Sequence, residues 1–102
     1  MIKLKKEKEP KVNVVIDYPK ENEIINHPSY SIKIGTNSNS KIEVSIDGAD
    51  WQLCREAEGF WWYDWANYTK GKHNIIARVC DDKGKILEMS AARGCKSIYK
   101  MK

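Results

Sequence analysis

Phe60-Trp61-Trp62-Tyr63-Asp64-Trp65 puts five aromatic rings into six residues. Polar Glu56–Gly59 precedes the run and a loop over Asn67–Gly71 follows it. A short, ring-rich segment between two turn-forming stretches reads as a β-strand, because aromatic side chains pack well on a pleated surface. The flanking segments carry the same message. On the N-terminal side, Ile42, Val44 and Ile46 alternate with Glu43, Ser45 and Asp47, the period of a half-buried strand. Asp47-Gly48 then supplies a tight turn, since glycine takes the positive φ that hairpin turns need, and Trp51-Gln52-Leu53-Cys54 is the expected returning strand. On the C-terminal side, His73, Ile75, Ala77 and Val79 share one face, with Asn74, Ile76, Arg78 and Cys80 opposite. Asp81-Asp82-Lys83-Gly84 turns the chain again. Ile86–Met89 and Cys95–Tyr99 read as two halves of a last strand, interrupted near Arg93-Gly94.

The first third of the chain follows the same rule. Val12, Val14 and Ile16 alternate up to Tyr18-Pro19, where proline stops a paired strand. Glu23-Ile24-Ile25 is a short edge piece and His27-Pro28 a break. Tyr30, Ile32 and Ile34 then alternate with Ser31, Lys33 and Gly35 before the turn-rich Thr36–Ser40. Seven or eight short strands with no sustained helical period predict an all-β, antiparallel sandwich. A polar leader over residues 1–10 and one sandwich domain over 11–100 are expected, and 102 residues suffice for one hydrophobic core.

The segment Ile42–Asp82 resembles the bacterial immunoglobulin-like domains that serve as accessory modules in extracellular and glycan-handling proteins. The motifs are Ser45-Ile46-Asp47-Gly48, Tyr63-Asp64-Trp65, Gly71-Lys72-His73-Asn74-Ile75-Ile76-Ala77 and Asp81-Asp82-Lys83-Gly84. Ile16-Asp17-Tyr18-Pro19 fits the first strand of that family, so the resemblance spans about nine-tenths of the chain. It implies an immunoglobulin-like fold and a non-catalytic role. It also implies that Trp61, Tyr63 and Trp65 point inward, joining His73, Ile75, Ala77, Val79, Ile42, Val44 and Ile46 in the core. Phe60, Trp62 and Asp64 then face outward. The doubled tryptophan Trp61-Trp62 is more aromatic than the family pattern.

The outward residues are the candidate site. Trp62 can stack on the apolar face of a sugar ring, with Trp51 as a second platform and Gln52, Arg55, Asp64 or Asn67 as hydrogen-bonding partners. Phe60 flanks them. The competing readings are a protein contact on the same residues, or a cover over Trp62 from Trp51 or a loop. The leading expectation for function is an interaction module that binds a protein partner or its own copy, by an edge strand or this aromatic patch. A glycan-binding module is the alternative.

Other chemistry is weakly supported. The net charge of +4 lies at the ends, five lysines and two glutamates in residues 1–11 and three lysines in 96–102, while the body has 10 basic and 12 acidic residues. A nucleic-acid binder carries its charge on a folded face, so no nucleic-acid partner is expected. No apolar run approaches the ~18 residues of a membrane span, so no membrane is expected either. Residues 1–10 lack the apolar stretch of an export signal, which predicts a cytoplasmic protein if Met1 is the native start and a secreted or cell-surface one otherwise.

Cys54, Cys80 and Cys95 show no zinc-ligand spacing and read as reduced, buried or half-buried thiols. A Cys80–Cys95 disulfide is the competing arrangement. Cys54, near Arg55, is in principle a low-pKa thiol, but it has no local histidine. His73 reads as a structural histidine, His27 has no companion for a metal site, and Asp47, Asp50, Asp81 and Asp82 read as turn carboxylates. No catalytic residue, metal or cofactor is expected.

Overall fold

The computed structural model describes residues 11–100; the expected leader over residues 1–10 lies outside them. Ten strands follow one another with no helix between them among the described residues: β1 Val14–Tyr18, β2 Glu23–Ile25, β3 Ser29–Thr36, β4 Lys41–Ile46, β5 Gln52–Leu53, β6 Arg55–Ala57, β7 Phe60–Ala66, β8 Gly71–Cys80, β9 Ile86–Met89 and β10 Arg93–Ser97. They form two sheets, an immunoglobulin-like sandwich. Sheet A has the order β1-β3-β7-β6. Sheet B has the order β2-β10-β8-β4-β5, with β9 beside β8 in line with β10. All pairs are antiparallel except β2 with β10.

The strand count exceeds the expected seven or eight because two sequence strands are divided. The stretch after Asp47-Gly48 does not return as one strand. Gln52-Leu53 pairs with Val44 and Glu43 in sheet B, and Arg55–Ala57 pairs with Trp62–Phe60 in sheet A. Cys54 is the crossing point, buried between the sheets, with its N–H donating to the Ile42 carbonyl at 2.9 Å. The polar Glu56–Gly59 connection is therefore half strand. Its turn is Glu58-Gly59, both at positive φ (55° and 83°), the backbone of a two-residue hairpin turn that matches strand twist. The last strand is divided in two as its sequence suggested, but the break falls at Ser90–Ala92: Arg93-Gly94, expected to interrupt it, begin β10 and pair with Ile75 and Asn74.

The alternating residues meet between the sheets. Ile32 and Ile34 of sheet A face Ile42, Val44, Ile75, Ala77 and Val79 of sheet B, all 0% exposed, with Val14, Ile16, Ile25, Trp65 and Cys95 around them. Burying each aliphatic side chain contributes about 1.5–3 kcal/mol, so this cluster supplies the main cohesive term. Ile46, Trp61 and Tyr63 pack on it but are only half-buried.

All three cysteines are buried and free. Cys95 pairs with His73, whereas Cys80 lies seven residues further along β8. At about 3.3 Å per residue that is roughly 23 Å, far beyond the ~7 Å Cα separation a disulfide can bridge. The Cys80–Cys95 disulfide suggested by neighbouring strands is excluded by register. Among the described residues no helix is long and apolar enough to cross a membrane.

Candidate functional site

The outer face of sheet A is built by cross-strand register. Strand β7 lies between β3 and β6, so Trp62 stands directly opposite Lys33 on one side and Arg55 on the other. Asp64 is opposite Ser31, and Phe60 opposite Ala57. A bulge in β1 after Ile16 places Tyr18 opposite Lys33 as well. The inward neighbours Ile32 and Ile34 are fully buried, which turns Ser31 and Lys33 outward.

Lys33 organises this face. Its Nζ lies 3.8 Å from the Phe60 ring centroid, 5.7 Å from Tyr18 and 5.9 Å from Trp62. Rings within about 6 Å of an ammonium attract it through the quadrupole of their faces. Lys20 adds a second ammonium, 4.7 Å from the Tyr18 ring. The Trp62 ring is half-buried and oriented by its indole N–H, which donates to the Ala57 carbonyl at 3.1 Å. At the far end of the face Arg55 donates twice to Asp64, Nε to Oδ2 at 3.1 Å and Nη2 to Oδ1 at 3.0 Å, and Ser31 donates to the same carboxylate at 3.3 Å. The hydrogen bonds from Arg55 hold the Asp64 carboxyl below the usual carboxylate range and push the guanidinium up. The pair is exposed, so its contribution is orientation more than stability.

Phe60, Trp62, Asp64 and Arg55 therefore come together on one surface. Trp51 does not join them. It is half-buried over the outer face of sheet B, with the Arg78 guanidinium 4.0 Å from its ring centroid, and Arg78 is held by Glu43 at 2.8 Å. Trp51 neither extends the Trp62 surface nor covers it, because the sandwich stands between them. Gln52 lies with it on β5, and Asn67 sits in the loop after β7. The residues that sequence reasoning missed are Lys33 and Tyr18. The outward alternation of Lys33 was readable, but its place beside Trp62 depends on a pairing between segments some 30 residues apart, and Tyr18, in phase with the inward Val14 and Ile16, is turned outward only by the bulge in β1.

The core side of β7 has its own polar anchor. The Trp65 ring packs 4.4 Å from Tyr68 and edge-on to His73 at 5.1 Å. The Tyr68 hydroxyl donates to the His27 carbonyl. His73 Nδ1 lies 2.6 Å from Asp47 Oδ2 and Nε2 2.7 Å from the Thr69 carbonyl, so both ring nitrogens face acceptors. His73 is thus fully occupied structurally.

No thiol is set up for nucleophilic chemistry. Burial pushes Cys54 up to about 12, with Glu43 adding to the shift, and burial pushes Cys95 up to about 11 and Cys80 up as well. The adjacent Arg55 does not activate Cys54, because its guanidinium turns outward to Asp64 while the thiol turns into the core. Among the described residues no three histidine, cysteine or carboxylate side chains gather as a metal site.

No family model and no curated protein matches this sequence. Among solved structures, the chain is similar to the fibronectin(III)-like modules of Clostridium thermocellum CbhA, with a TM-score of 0.70 at 17% identity. The match covers 88% of this chain and 100% of that one. At this identity the likeness shows the fold: a fibronectin(III)-like, immunoglobulin-type β-sandwich.

Proposed function

We propose that this domain is a non-catalytic interaction module of the bacterial immunoglobulin-like accessory type, contacting a protein partner through the outer face of sheet A. The observation that carries the reading is the ring-and-cation cluster around Lys33. Tyrosine, tryptophan and arginine are the side chains most enriched at the energetic centres of protein interfaces; here Tyr18 and Trp62, with Phe60, surround the Lys33 ammonium, and Arg55 stands beside Trp62. The sandwich likeness to modules of a larger protein and the unreactive thiols support a role without catalysis. The motifs of Ile42–Asp82 support the accessory type.

The same surface admits glycan binding, the second reading, because Trp62 presents part of a ring. The position of Lys33 favours protein over sugar. Its ammonium lies 3.8 Å from the Phe60 ring centre, so a charge covers the ring that would extend the Trp62 platform for a sugar.

Two measurements test the proposal. Sedimentation velocity across a concentration range, on wild type and Trp62→Ala, reads self-association; the version with a second copy as partner expects an oligomer that the variant loses, and a strict monomer removes that version. Tryptophan fluorescence during titration with α- and β-glucans, xylans and chitin oligomers is expected to stay flat. A saturable change that Trp62→Ala abolishes would replace the protein reading with the glycan one.

A further inference from the structure

The opposite face of the sandwich carries a second feature that the aromatic surface does not explain. Lys72 of β8 and Lys96 of β10 are direct cross-strand partners. Their neighbours His73, Cys95 and Ser97 are buried, so both lysines stand on the outer face of sheet B. Like charges directly opposite one another on adjacent strands are destabilising. Among the described residues no carboxylate lies within salt-bridge distance of either ammonium.

The two lysines line a depression of about 350 Å³ between β2, β10 and β8. That volume lies in the range of small-ligand sites. Asn22 and Asn74 also line the depression. Gly94 is directly opposite Asn74, and its missing side chain makes room for Glu21; a Cβ there would lie 3.2 Å from Glu21 Oε2 and 3.7 Å from Asn74 Oδ1. Glu21 is the one carboxylate at the rim, and it is already engaged. Its Oε1 accepts from the Gly94 N–H at 3.2 Å and lies 3.5 Å from Arg93 Nε. The local balance is two free ammonium groups and two amides, with the single acid neutralised by arginine.

We propose that this depression binds a compact oxyanion, a phosphate or a carboxylate group, bridged by Lys72 and Lys96. The anion removes the repulsion between the two strands, and the Asn22 and Asn74 amides donate to it. The site is separate from the aromatic surface on sheet A and does not depend on it.

The test follows thermal unfolding and backbone amide shifts at constant ionic strength, with sodium chloride replaced stepwise by sodium phosphate or sodium glucuronate. A dose-dependent rise in Tm is expected, with saturable shifts at Lys72, Asn74, Gly94 and Lys96. Lys96→Gln is expected to raise Tm by about 1–5 °C in chloride alone, because it relieves the like-charge pair, and to abolish the anion-dependent rise. Lys83→Gln, in the exposed β8–β9 turn, is expected to retain that rise. A response to phosphate alone or to glucuronate alone identifies the anion class and supports the site. The proposal is overturned if neither anion exceeds chloride, if Lys96→Gln keeps the full response, or if it lowers Tm in chloride.

Discussion

Replacing Asp47 probes how the β4 turn is tied to the neighbouring strand. Its carboxylate makes two bonds across the sheet, Oδ2 to His73 Nδ1 at 2.6 Å and Oδ1 from the Asn74 N–H at 2.8 Å. The residue also adopts φ 55°, a left-handed conformation that Asp and Asn tolerate and Ala does not. In Asp47→Ala the histidine bond costs about 1.5 kcal/mol, the low end for a charge-assisted bond because the Asp47 side chain is 45% exposed. The amide bond adds about 1 kcal/mol and the backbone strain about 1 more. The sum is about 3–4 kcal/mol, a fall in Tm of at least about 12 °C for a domain of this size. Asp47→Asn should cost no more than about 1 kcal/mol. Its Oδ1 still accepts from Asn74, and its amide donates to His73 Nδ1 while Nε2–H keeps the Thr69 carbonyl. Urea unfolding of the two variants against wild type measures the difference. A loss below about 1 kcal/mol for Asp47→Ala, or equal losses for both variants, would refute the reasoning.

Three further outcomes are expected. Glu58 at φ 55° begins the β6–β7 turn, so Glu58→Asn should stabilise the domain by about 0.5–1 kcal/mol in chemical unfolding, while Glu58→Gln should give no gain. The raised thiols set an alkaline limit. The unfolded chain ionises its cysteines from about the ordinary value of 9.0, but the folded chain keeps Cys54 protonated to about 12 and Cys95 to about 11. Their contribution is therefore complete below pH 9 and declines as pH rises through that window, with a slope that Cys54→Ala reduces. Thiol-specific labelling of the native protein at pH 8 should accordingly be slow until denaturant is added.

The architecture was readable where alternation was clean. Ile42-Glu43-Val44 and His73 to Val79 each announce one wet and one dry face, and their inward members are the centre of the core. The division of Trp51–Ala57 between two sheets was not readable. Leu53, Cys54 and Arg55 carry no signal that the hydrogen-bonding direction changes at Cys54, because that change depends on which strand approaches each edge. The aromatic run illustrates the same limit. Its separation into two faces follows from the period of two, whereas the gathering of Lys33 and Tyr18 on Trp62 and Phe60 depends on a long-range pairing and on a bulge in β1. Tyr68 is a further case, a loop residue by its neighbours yet buried against Trp65. Trp51 shows the converse, since closeness in the chain to the aromatic strand placed it on the wrong side of the sandwich.

The parallel pairing of β2 with β10 bears on how the domain responds to tension. Chain direction alternates through β3, β4, β8 and β10, so β1, β2 and β10 all run the same way, and the start of β1 and the end of β10 lie at opposite poles. A pull on the two chain ends would then slide β2 along β10, loading Glu23–Ile25 against Cys95–Ser97 sideways and all at once, together with the Ile98 N–H bond to Ile25. Bonds loaded in this way must fail together rather than open one after another. Under force the sandwich would act as a stiff spacer whose lifetime is set by its unfolding rate.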